Sequence, residues 1–305
     1  MLSPAPYRTR VLAEPAIISR NEPVIYARPI GEGPIALTEE QRHSYRDNGF
    51  LQIPALFSQE EVTFLYNEMQ SMREAFTNQG RKEVIAEPGS GDVRSIFNVH
   101  RLNEIFANLV RDPRVLNVAR EILGSEVYIH QSRINYKPGF KGKEFYWHSD
   151  FETWHSEDGM PTMRAISCSI LLTDNDDKNG PLMVMPGSHR HFIACVGETP
   201  DENYKKSLKK QEVGTPDEVL LRHLADMGGI VSCTGKAGSV VFFDCNTMHG
   251  SNSNITPTPR SNVFFVYNSL ENQLGDPKGD LAPRPEFVAA REGIGALEPQ
   301  ALAIA

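Results

Sequence analysis

The chain has 305 residues, enough for one large domain or two small ones. At 40% hydrophobic and 23% charged it has an ordinary globular composition, and its net charge of −8 argues against a nucleic-acid binder, which would carry a basic face. The four cysteines, Cys168, Cys195, Cys233 and Cys245, form no C-x-x-C pair. That disfavours a thiolate zinc site and a disulfide framework, and it fits a reducing cytoplasm.

Residues 1–37 are Pro-rich and read as an extended, loop-like N-terminal extension, without the apolar core of a signal peptide. No stretch has the apolar length of a membrane span. Thr38-x-x-Gln41 is a capping box, so a helix starts there and stops near Asn48-Gly49. Phe50–Ile53 alternates and reads as a short strand. Ser58-x-x-Glu61 opens a second helix with Val62, Leu65 and Met69 on one stripe. Asp112-Pro113 starts a third, which carries Val115, Leu116, Ala119, Ile122 and Leu123 and ends at Gly124. From Val127 the texture becomes strand-like. Val127–Tyr136, Arg164–Leu172, Leu182–Met185, Ser239–Phe243 and Asn262–Ser269 are strand candidates, separated by Gly, Pro, Asn and Asp clusters. Asp201–Met227 is polar and helical in part. Helices followed by short strands suggest a mainly β fold, a helix-flanked double-sheet jelly roll (double-stranded β-helix, cupin-like). A sandwich without a metal site is also compatible. One domain over 38–290 and a tail over 291–305 complete the expected organisation.

Phe145–Ser167 holds His148-Ser149-Asp150. On a strand, side chains two apart point the same way, so both groups can reach one metal ion. Downstream, His249 follows the apolar run Val240–Phe243, and Arg260 lies eleven residues further on. Two histidines and one carboxylate on one face of a metal leave three positions open, as in non-haem Fe(II) oxygenases. An arginine fork then suits the far carboxylate of 2-oxoglutarate.

Each residue has a plainer reading. H-x-D occurs often by chance, and most of the nine histidines must be structural or exposed. His148 and His249 can be hydrogen-bonded in a polar core, or can hold zinc with Asp150, although no H-E-x-x-H arrangement accompanies them. Arg260 can be a surface residue after a turn. Trp147 and Trp154, the two tryptophans, are core residues by default, as are Phe243 and Phe264 taken singly. Glu157-Asp158 reads as a solvated turn rather than as extra ligands. His155, His189 and His191 are not needed once the triad is complete.

The run Phe145–Ser167 closely resembles the motif of the ectoine hydroxylases, a branch of the phytanoyl-CoA-dioxygenase-like 2-oxoglutarate oxygenases. The likeness extends upstream through Arg94–His100 and downstream through Pro181–His189 and Asn246–Asn252, and it covers roughly residues 35–290. The resemblance implies that His148, Asp150 and His249 are Fe(II) ligands and that Arg260 anchors 2-oxoglutarate. It places Asn135, Phe145, Ser167, Ser251 and Phe97 around the co-substrate, and Gln131, Trp154, Ala165, Phe243, Asn262 and Phe264 around ectoine. It also implies a homodimer that converts ectoine to 5-hydroxyectoine with O2, releasing succinate and CO2. Asp150 disfavours halogenation, since related halogenases lack the carboxylate ligand. The rivals are a same-fold oxygenase acting on another small metabolite such as proline, and a metal-free jelly-roll protein that binds a solute without turnover.

Overall fold

The structure, a computed structural model, describes residues 7–28, 33–86, 91–279 and 281–304, so 1–6 and 29–32 of the Pro-rich extension lie outside the described residues. The strands are β1 (Ala16–Ser19), β2 (Phe50–Ile53), β3 (Val84–Ala86), β4 (Val93–Phe97), β5 (Val127–Lys137), β6 (Phe145–His148), β7 (Ala165–Leu171), β8 (Leu182–Val184), β9 (His191–Ala194), β10 (Val231–Ser232), β11 (Val240–Asp244), β12 (His249–Ser251) and β13 (Arg260–Ser269). The helices are α1 (Glu39–Asn48), α2 (Gln59–Phe76), α3 (Val99–Leu102), α4 (Glu104–Leu109), α5 (Pro113–Leu123), α6 (Asp150–Glu157), α7 (Tyr204–Ser207) and α8 (Glu218–Gly228). A seven-stranded sheet runs β2-β11-β7-β13-β5-β4-β3, a four-stranded one runs β10-β8-β12-β6, and β1 pairs with β9.

Two-residue alternation sorts the larger sheet into two faces. Ile166, Cys168 and Ile170 of β7, Val240 and Phe242 of β11, and Val263, Phe265 and Tyr267 of β13 join one apolar cluster. The buried stripes of α2, α4 and α5 fill the same cluster, with Leu65, Met69, Phe106, Leu116 and Ile122 among them. The intervening residues face the smaller sheet. Leu171, Val241, Phe243 and Phe264 meet Leu182 and Val184 there. This is the jelly roll expected, with helices behind its larger sheet and the interior between the two sheets.

The helix starts follow their capping chemistry. Thr38 and Ser58 each accept a bond from the N3 backbone and receive one from the N3 side chain, Gln41 and Glu61. Gly49, at φ +78°, ends α1 in the left-handed conformation that a side chain resists. Asp201–Met227 holds α7 and α8. No helix among the described residues is long and apolar enough to cross a membrane.

Both ends of the chain pack on the domain. The N-terminal extension is not all loop: β1 lies antiparallel to β9, and Tyr7, Thr9 and Arg10 are buried. Four residues between Pro15 and Arg20 are too short a run to show alternation. The C-terminal tail also packs. Its Leu297 and Leu302 lie on the main core, the Leu297 N–H donates to Val127 O at 3.1 Å, and the Leu302 N–H donates to Asp112 Oδ2 at 2.9 Å. Asp112 therefore caps α5 through the Arg114 N–H at 3.0 Å and clasps the tail as well. We expect Asp112→Ala to cost about 2 kcal/mol, from a lost cap and stranded part-buried donors. Urea unfolding checks this, and an unchanged midpoint contradicts it.

Candidate metal centre

His148, at the end of β6, pairs across the small sheet with His249, at the start of β12. Their ring centroids are 4.2 Å apart. Each Nδ1 lies against a backbone carbonyl two residues upstream, Tyr146 O at 2.8 Å and Thr247 O at 2.9 Å. A carbonyl oxygen can only accept, so each Nδ1 carries a hydrogen, which leaves Nε2 as the nitrogen that can ligate a metal. His148 Nε2 is 3.8 Å from Asp150 Oδ1, and His249 Nε2 is 3.8 Å from Asp150 Oδ2. The three ligating atoms lie within 4.8 Å of one another. Burial, then the adjacent His249, pushes the His148 imidazole down to about 3, so the ring is neutral at pH 7, as a ligand must be. Two imidazoles that present Nε2 and one carboxylate suit a divalent transition metal.

His148 and Asp150 do not share a strand face, contrary to the expectation from the sequence. The chain turns after His148, Ser149 is the N-cap of α6, and Asp150 is the first helical residue. The turn is pinned to the segment leading to His249. The Phe151 N–H donates to Cys245 O at 2.8 Å, and the Ser149 hydroxyl donates to Asn246 Oδ1 at 3.0 Å. A strand-to-helix turn, rather than pleat parity, brings the carboxylate to the imidazoles.

The triad opens into a cavity between the sheets. Of the residues expected at the site, Phe97, Gln131, Asn135, Phe145, Trp154, Ser251, Arg260 and Phe264 line it. Ser167, Ala165, Phe243 and Asn262 are not among the lining residues. The Ser167 hydroxyl is 3.4 Å from Asp150 Oδ2, and the Phe243 ring lies 4.9 Å from that of His249. Ala165 packs beside Trp154 in a separate apolar cluster, and the Asn262 amide donates to Ser169 Oγ at 3.0 Å. Of the three aromatic side chains expected around a substrate ring, Trp154 and Phe264 reach the cavity and Phe243 supports His249.

Arg260 is buried, and its Nε has no hydrogen-bond partner among the described residues. Burial, then the nearby Arg94, pushes the guanidinium down to about 10, which leaves it charged at pH 7. Among the described residues Asp150 is the one acidic residue lining the cavity, whereas Arg94, Arg133, Lys137, Lys143 and Arg284 line it with Arg260. Arg260, buried with an Nε that has no partner among the described residues, suits an anion there, because a buried charge without a partner is costly.

Arg133 was not singled out by the sequence. It stands on β5 between Gln131 and Asn135, so the same parity that selected its neighbours also points to it. Its guanidinium bonds Gln131 Oε1 and lies 4.9 Å over the Phe264 ring, so one face of that ring already holds a cation. Thr153 also lines the cavity, from inside the Phe145–Ser167 run, and Gln211 and Arg284 line it from parts of the chain that carry no local signal. The acidic pair Glu157-Asp158 is not a solvated turn, since both residues are buried. Glu157 accepts a bond from Arg10 at 2.6 Å, and Asp158 takes the Arg284 fork at 2.7 and 2.5 Å.

The phytanoyl-CoA dioxygenase (PhyH) family model matches residues 45–262. The ectoine dioxygenase of Bordetella bronchiseptica is 62% identical over 303 residues, covering 98% of this chain and 97% of that protein. The ectoine dioxygenase of Halomonas elongata is 49% identical, covering 93% and 85%. A crystal structure of EctD from S. alaskensis with 2-oxoglutarate and 5-hydroxyectoine superposes with a TM-score of 0.86 at 45% identity, over 96% of this chain and 97% of that one. The same protein with bound Fe gives 0.85 at 44% identity, over 97% and 98%.

The Asp158–Arg284 pair makes a pH prediction. Burial alone would raise the Asp158 carboxyl, but Arg284 more than offsets it and holds the group at about 2, below its ordinary 3.8. A depressed carboxyl contributes stability above its unfolded value and loses it as pH falls through the folded one. The gap in urea midpoint between wild type and Asp158→Asn should be wide at pH 7 and should close between 3.8 and about 2. A gap independent of pH would contradict the pairing.

Proposed function

The chain belongs to the phytanoyl-CoA dioxygenase family and, within it, to the ectoine dioxygenases, and from that membership we propose that it hydroxylates ectoine to 5-hydroxyectoine in an Fe(II)- and 2-oxoglutarate-dependent reaction that consumes O2 and releases succinate and CO2. The observation that carries the reading is the convergence of His148, Asp150 and His249 in the wall of a cavity that also holds the buried Arg260. The neighbouring EctD structures, one with Fe and one with 2-oxoglutarate and 5-hydroxyectoine, support the same cofactor and substrate.

His148, Asp150 and His249 would hold the iron, which when bound supplies with 2-oxoglutarate and O2 the oxidising power to attack an unactivated C–H bond. The rest of the work falls to the chain. Arg260 takes the far carboxylate of 2-oxoglutarate as a fork that lysine cannot copy, and Arg133 adds a second cation. Asn135, Ser251, Phe145 and Phe97 wall the co-substrate, and Ser167 steadies Asp150. Trp154 and Phe264 flatten against the amidinium ring of ectoine, Gln131 fixes its polar edge, and Ala165, Phe243 and Asn262 set the wall behind. Orientation of the C5–H and exclusion of water are the protein's two contributions to rate and selectivity. Cytoplasmic location and a homodimer belong to the same proposal. The four buried, free cysteines support a reducing compartment. Sedimentation equilibrium showing only a species of single-chain mass would rule out the dimer.

Reconstitution with Fe(II) and 2-oxoglutarate without O2, followed by ectoine and O2, should give 5-hydroxyectoine by mass spectrometry and one succinate per product. Proline in place of ectoine should give neither, and equal turnover of proline would overturn the substrate assignment. His148→Ala and Asp150→Ala should abolish both products. Arg260→Lys should raise the 2-oxoglutarate KM by about a hundredfold with iron binding retained, because a point charge replaces a bidentate fork. An unchanged KM would remove Arg260 from the co-substrate site.

A further inference from the structure

Arg10, in the N-terminal extension, reaches Thr153 in the wall of the cavity. Arg10 is buried, and its Nε and Nη2 grip the two oxygens of Glu152 at 3.0 and 2.7 Å. Its Nη1 donates to Glu157 Oε1 at 2.6 Å and to Thr199 Oγ1 at 2.9 Å. Its Nη2 also lies 3.3 Å from Thr153 Oγ1. The same carboxylates take bonds from neighbours: the Thr9 hydroxyl donates to Glu152 Oε1 at 2.6 Å, and the Asn203 amide donates to Glu157 Oε1 at 2.8 Å. The Gln211 amide reaches Thr153 Oγ1 at 3.4 Å. One guanidinium thus joins the extension, helix α6 and the segment 199–211.

These partners bracket the substrate side of the cavity. Glu152, Thr153 and Glu157 surround Trp154 on α6, and Ser207, Leu208 and Gln211 line the cavity from the segment that Thr199 and Asn203 begin. The metal side is held by other means. Asp150 is fixed by the Phe151-to-Cys245 bond and the Ser149-to-Asn246 bond, and the histidines are fixed by the strand ladder.

Resting on the reaction proposed above, we propose that Arg10 is a positioning residue for the substrate half of the site: it clamps the Trp154 helix to the 199–211 wall and leaves the metal half untouched. The fork is needed because two buried carboxylates share one cation. Lysine keeps the charge but offers a compact point charge in place of the planar fork that spans Glu152 and Glu157. Without the clamp the carboxylates have reason to part, and the wall separates from the helix.

The test compares Arg10→Lys and Arg10→Gln with wild type in the full chain. Hydrogen exchange should quicken across 199–211 and stay as in wild type across 246–251. The ectoine KM should rise by about tenfold or more, with the 2-oxoglutarate KM and Fe(II) affinity within about twofold, since a displaced wall harms only the substrate it contacts. Succinate should then exceed 5-hydroxyectoine. Unchanged exchange in 199–211 would overturn the proposal. So would parallel weakening of iron, 2-oxoglutarate and ectoine, the mark of a general structural brace. If Arg10→Gln does not fold, Arg10→Lys decides the matter. If wild type itself fails to hydroxylate ectoine, the reaction reading falls and the exchange result alone judges the clamp.

Discussion

Two backbone carbonyls, those of Tyr146 and Thr247, govern what this protein can do. Each fixes a hydrogen of one imidazole on Nδ1 and turns Nε2 inward. The arrangement depends on register. His148 and His249 face each other on antiparallel strands, and the pairing shifts before Ser251 meets Phe145. A slip of one residue would turn His249 to the other face and dissolve the triad. The irregularity allows the strands to meet at the histidines and still bring Ser251 to the cavity.

The two sheets divide the chemistry between them. The smaller sheet carries both imidazoles, and the turn after β6 carries the carboxylate. The larger sheet supplies the cations. Arg260 opens β13, and Arg133 stands on β5 beside it in the sheet order. The outer face of that sheet is covered by helices, while its inner face mixes polar residues with the apolar cluster of Leu171, Val241, Phe243 and Phe264. Ser167, Ser169, Asn262 and Asn135 alternate with the core residues that the helices cover. The pleat of one sheet therefore makes both the stability of the fold and the polarity of the site.

Much of this was legible in the chain. The capped helices were readable because capping is local: Thr38 with Gln41, and Ser58 with Glu61, lie three residues apart. The longer strands were readable because their alternation runs far enough to show. The triad was readable through its spacing and its resemblance, although the reason given for Asp150 was wrong: a helix begins where a strand was expected. What stayed hidden is long-range. Nothing near Glu157 or Asp158 announces that Arg10 and Arg284 will bury them, because an ion pair across more than a hundred residues leaves no periodic mark. Strands as short as β1 and β12 exist because neighbours hold them, not because their own residues insist. Arg133 could have been found by continuing the parity of Gln131 and Asn135.

The account stands on one location for the metal. Crystals grown without O2 in the presence of Fe(II) and 2-oxoglutarate, measured at the iron absorption edge, give a direct answer. A single anomalous peak per chain, within bonding distance of His148 Nε2, His249 Nε2 and an Asp150 oxygen, is the result this account predicts. A peak elsewhere, or full iron binding in a His148→Ala, His249→Ala double variant, would contradict it.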